Sequence, residues 1–99
     1  MKSGYKIFWT DHALNELEKT IEYLENNFSD KELEKLSQKI ESIVSLISQN
    51  PHLFPKSDKR GVYRVTVLKF NTIYYRIQSD SIEILSFFSN RQHPKKRKI

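Results

Sequence analysis

Residues 62–88 constrain the fold most, because two of their three apolar segments alternate apolar and polar side chains with the period of a β-strand. In residues 62–68, "VYRVTVL", Tyr63, Val65 and Val67 fall on one side and Arg64 and Thr66 on the other. Residues 72–77, "TIYYRI", set Ile73, Tyr75 and Ile77 against Thr72, Tyr74 and Arg76. Residues 82–88, "IEILSFF", are apolar on both sides. That segment reads as a strand covered twice, or as one keeping a face for a partner. The links "KFN" and "QSDS" are short enough for hairpins. The expectation is an antiparallel sheet with one apolar face that another layer must cover.

The cover comes from the preceding residues. Leu14, Leu17, Ile21, Leu24 and Phe28 recur at spacings of 3, 4, 3 and 4, one stripe of an amphipathic helix. Thr10 or Asp11 offers its N-cap, and "NNFSD" breaks it. Leu33, Leu36, Ile40, Ile43, Val44 and Ile47 form a second stripe. Ser29 and Glu32 have the spacing of a capping box at its start, and Asn50-Pro51 stops it. Two such helices with a short connection form an antiparallel hairpin. "YKIFW", residues 5–9, adds a strand in front. The order is therefore β-α-α-β-β-β, an α+β fold with the helix hairpin packed on one face of the sheet. At 99 residues the chain is one domain, residues 1–99, ending in a basic tail "PKKRKI" from about 94 to 99.

Composition narrows the chemistry. With no cysteine, disulfides, thiolate catalysis and Cys-ligated zinc are excluded, and a reducing cytoplasm fits. His12, His52 and His93 are scattered without metal-ligand spacing, so neither a metal nor another cofactor is expected. No stretch approaches the roughly 20 apolar residues of a membrane span. The expectation is a cytoplasmic protein with no membrane partner. A net charge of +5 favours RNA, DNA or an acidic protein segment as partner. On the first helix, Glu16, Glu18, Glu22 and Glu25 interleave with Lys19 and read as a solvated face. Trp9 reads as core and Tyr74 as an exposed aromatic able to stack on a base.

The β-α-α-β-β-β order, the hairpin "GVYRVTVLKFNTIYYRI", the strand "IEILSFF" and the closing "NRQHP" together resemble the RelE/ParE superfamily of bacterial type II toxin–antitoxin toxins. The resemblance spans nearly the whole chain and is most specific over residues 61–94. It implies a toxin neutralised in a heteromeric complex by a cognate antitoxin. RelE-like members cleave mRNA on the ribosome, and ParE-like members inhibit DNA gyrase. RNA cleavage needs a base for the 2′-OH, cations for the phosphorane and an acid for the leaving oxygen. Carried across, Arg64 matches the first cationic position of the nuclease. The second and third fall on Thr66 and Thr72, leaving Arg76 as an off-register candidate. Arg91 matches the C-terminal arginine, and His93 stands in as acid or base. The catalytic candidates are thus Arg64, Arg76, Arg91 and His93, an incomplete nuclease set. Lys69, Tyr74, Phe87, Lys95 and Lys96 are the candidate contacts to nucleic acid or a protein partner. The alternatives are a basic nucleic-acid-binding module and a toxin without catalytic activity.

Overall fold

The two apolar stripes form a helix hairpin that lies over one face of a four-stranded sheet. The computed structural model describes residues 4–89. Its elements are β1 (Lys6–Trp9), α1 (Asp11–Asn27), α2 (Asp30–Gln49), β2 (Tyr63–Val67), β3 (Asn71–Gln78) and β4 (Ser81–Ser89). Thr10 caps α1, its hydroxyl accepting the Ala13 amide proton at 3.2 Å, and Asp11 complements the positive end of the helix dipole. Ser29 occupies the N-cap of α2, but the expected capping-box bond from its side chain is not made. The Glu32 amide instead donates to the Ser29 carbonyl at 3.1 Å.

The α2 stripe is placed as expected, with Leu36, Ile43 and Ile47 buried. The α1 stripe is rotated: Ala13, Thr20 and Leu24 are buried, while Leu14 and Phe28 are exposed. Ala13 and Thr20, both small, thus share the buried side of α1 with Leu24, where the helix packs against β4. Truncating Leu36 to alanine is expected to cost about 2–5 kcal/mol.

The sheet has the order β1-β4-β3-β2. β2, β3 and β4 are antiparallel neighbours, as their hairpin links require. β1 joins parallel to β4, so the sheet is mixed. The direction follows from α2, which returns the chain to the end where β1 began. There the Tyr5 amide donates to the Ser48 carbonyl at 2.8 Å, and the Ser48 hydroxyl donates to the Tyr5 carbonyl at 2.8 Å. β2 therefore runs in the same direction as β1, though at the opposite edge of the sheet, and two hairpin reversals leave β4 parallel to both. Gly4 belongs to this junction, since a Cβ on it would lie 2.7 Å from the Ser48 carbonyl oxygen.

One irregularity re-aims half of β4. Tyr74 pairs with Ser86 but Tyr75 pairs with Ile84, so Leu85 is an extra residue and the strand bulges. Before the bulge Ile82 and Ile84 point into the core, and after it Phe87 and Ser89 do. This explains why the segment looked apolar on both sides. It also corrects the placing of Phe87 among the partner contacts. That ring is 1% exposed and fully in the core, while Phe88 faces out at 38%.

Tyr63 and Tyr75 stack at the β2–β3 register, with ring centroids 5.3 Å apart. The buried Tyr75 hydroxyl donates to the Pro51 carbonyl at 2.7 Å and so anchors the loop after α2. That loop then doubles back along β2. Lys56 bridges to Tyr63, the Ser57 amide donates to the Val62 carbonyl at 2.7 Å, and the Arg64 amide to the Pro55 carbonyl at 3.0 Å. The outer edge of β2 is thus covered.

Candidate functional site on the open sheet face

Alternation brings the polar sides of β2, β3 and β4 together on the face away from the helices. Arg64 pairs with Tyr74, and Tyr74 pairs with Ser86, so the three form a row across three adjacent strands. Cross-strand neighbours of this kind lie close enough for their side chains to act on one ligand. The row lies in a groove of about 590 Å³, walled by Leu85 and by Ser57, Asp58, Lys59 and Val62 of the loop. The bulge contributes here too, because it puts both Leu85 and Ser86 on the groove.

The charges of the site are unequal in availability. The Arg76 Nε donates to Glu83 Oε1 at 2.8 Å, and Gln78 Nε2 donates to the same oxygen at 3.2 Å. Arg76 is therefore half of an ion pair and not a free cation. Arg64 has no ion pair among the described residues and is exposed. Thr66 and Thr72, the residues onto which the resemblance carried two cationic positions, stand opposite one another in the register. Tyr74 is half-buried beside Arg64 and offers a phenol as hydrogen-bond donor or acceptor. Lys69 lies away from this row, in the β2–β3 turn. Arg91, His93, Lys95 and Lys96 lie outside the described residues.

Glu16 is the residue that sequence reasoning placed wrongly. Its Oε1 accepts the Phe87 amide proton at 2.8 Å and the Ser86 hydroxyl proton at 2.8 Å, and His12 Nε2 is 3.4 Å away. A carboxylate taken for part of a solvated face thus orients Ser86. With its proton engaged, Ser86 offers the groove an acceptor. No group of acidic or histidine side chains able to hold a metal occurs among the described residues. Nor is any described helix long and apolar enough to cross a membrane.

A helix hairpin on one face of a mixed four-stranded sheet is an α+β fold, and solved toxin chains share it. Residues 7–94 match the family described as the ParE toxin of the type II toxin–antitoxin system parDE, and the chain belongs to that family. Among solved structures it is similar to a chain of the chromosomal ParDE toxin–antitoxin system from P. aeruginosa. That match has a TM-score of 0.72 and 19% identity, over 86% of this chain and 95% of that one. It is also similar to the YoeB dimer from Staphylococcus aureus, with a TM-score of 0.58 and 22% identity over 85% of this chain and 94% of that one. The conserved hypothetical protein HP0894 from Helicobacter pylori shares the fold at a TM-score of 0.51 and 17% identity, over 88% and 96% of the two chains. No curated protein sequence matches. The protein is a toxin of a type II toxin–antitoxin system, and that class implies an antitoxin partner.

Proposed function

We propose that this toxin stops growth by binding DNA gyrase in the cytoplasm, and that its antitoxin releases the block by forming a heteromeric complex with it. The observation that carries this reading is the Arg76–Glu83 pair. It neutralises the off-register cation left to a nuclease, beside threonines at the other two positions. Each charge-stabilising donor is worth about 10²–10³ in rate, so a groove whose cations among the described residues are Arg64 and Lys59 is poorly equipped for cleavage. Binding a protein target needs no such set. Arg64 and Tyr74 serve it as contacts, with Arg64 meeting acidic or phosphate groups of the gyrase complex.

The test is induced expression of the full chain in a bacterial host, with RNA ends mapped and supercoiling by gyrase assayed. The expected result is growth arrest with intact mRNA and inhibited supercoiling, weakened about tenfold or more in Arg64→Ala. Arrest with new cuts at ribosome-bound codons, lost in His93→Ala, would replace this reading with mRNA cleavage.

A further inference from the structure

We propose that the groove beside the β2–β3 turn anchors the antitoxin, taking an apolar side chain of that partner together with a neighbouring carboxylate. The inference rests on the toxin–antitoxin reading and assigns a surface to the partner. The groove has a volume of about 400 Å³ and separates the turn from the helix hairpin. Leu24 and Leu36 line its helical side, Leu68 and Phe70 the turn side, and Lys35 and Lys69 add charge.

Leu68 is the first clue. Its φ of 60° is left-handed, a conformation that glycine or asparagine adopts readily and leucine does not. Core packing does not account for leucine here, since the side chain is 40% exposed and Phe70 beside it 37% exposed. A residue that breaks the local turn rule without being buried points to a role outside the folding of the free chain.

Asn71 is the second. It is 7% exposed, and its Nδ2 donates to the Val67 carbonyl at 3.1 Å, which fixes the amide orientation. Among the described residues its Oδ1 has no hydrogen-bond partner, nor has the buried Ser89 hydroxyl at the opposite register position. A buried acceptor left unpaired is costly, and a donor brought in by a ligand relieves that cost. The oxygen is closed to solvent in the free chain, so the donor reaches it only as the turn shifts.

These features select the occupant. An apolar body with a hydrogen-bond donor is what a peptide segment presents, and Lys35 and Lys69 outweigh Glu32 at the groove. An acidic partner is therefore favoured. A second copy of this chain, at a net charge of +5, is repelled.

The test compares the full toxin with Leu68→Gly and Lys69→Glu, measuring affinity for the protein encoded by the adjoining open reading frame and thermal unfolding in parallel. Leu68→Gly removes the strain and the side chain together. It is expected to keep the thermal midpoint while weakening affinity about tenfold or more. Lys69→Glu is expected to weaken affinity several-fold with no change in unfolding, and to reduce its salt dependence. Wild-type affinity in both variants would overturn the anchor and leave the toxin reading standing. No complex with the wild-type chain would remove the partner from both. A free dimer that Leu68→Gly dissociates would make the groove a self-interface and overturn the proposal.

Discussion

Glu16 of α1 accepts the Phe87 amide proton at 2.8 Å, so a helix side chain finishes the edge of β4 that β1 is too short to reach. β1 ends at Trp9 opposite Ile84, and the Thr10 amide and hydroxyl both donate to the Ile84 carbonyl, at 3.1 and 2.9 Å. Three residues further along β4 the carboxylate takes over from the strand. Replacing Glu16 with alanine leaves the Phe87 N–H without that acceptor. We expect a loss of about 1–3 kcal/mol in urea unfolding, with faster hydrogen exchange at the Phe87 amide. Glu16→Gln keeps an acceptor oxygen and should recover part of both. Unchanged exchange in Glu16→Ala would show that the edge is closed by something else.

The Arg76–Glu83 pair makes a different prediction, because both side chains are partly exposed. Glu83→Gln should move stability by less than about 1 kcal/mol, as solvent screens the pair. It should nevertheless release a cation on the open face and raise the net charge by one. Retention on a heparin column is therefore expected to increase while the urea midpoint stays in place. A large fall in the midpoint would mean that the pair is structural.

Tyr75 gives the fold an alkaline limit. Burial, with a smaller contribution from the neighbouring Tyr63, pushes its phenol from 10.0 up to about 12. The folded chain thus holds this proton to higher pH than the unfolded chain does. The stabilisation is complete below about pH 10 and is lost as pH rises toward about 12, amounting to on the order of 2–3 kcal/mol. Tyr75→Phe gives up the hydrogen bond to Pro51, costing about 1 kcal/mol at neutral pH. Its stability should then fall less steeply above pH 10 than that of the wild type. Parallel alkaline curves for the two proteins would remove Tyr75 as the cause.

The regular parts of the molecule were legible in the sequence because regular structure repeats its signal. Residues 63–67 and 72–77 each alternate regularly, and that put Arg64 and Tyr74 on the same open face. α2 was legible for the same reason, since its stripe faces a flat apolar layer. What failed depended on pairings between distant residues. The direction of β1 is set by where α2 ends, at Ser48, which a four-residue strand does not encode. The bulge at Leu85 carries no glycine to announce it, so Phe87 was assigned to the wrong side. Glu16 resembles its neighbours Glu18 and Glu22 until β4 is laid beside it. Arg76 looked like a free cation because its partner Glu83 is identified only by the β3–β4 register. Leu68 lies in a turn between two strands that gave no hint of a left-handed backbone.

The extra residue at Leu85 also governs how this chain is to be compared with others. Counting along β4, inward and outward positions exchange parity at that point, from even numbers to odd. An alignment that runs through residue 85 without a gap against an unbulged relative equates Phe87 with a surface position and Phe88 with a core one. Placing a single gap there restores the correspondence of faces, and equivalent site residues past the bulge are to be sought one position later than an ungapped count would put them.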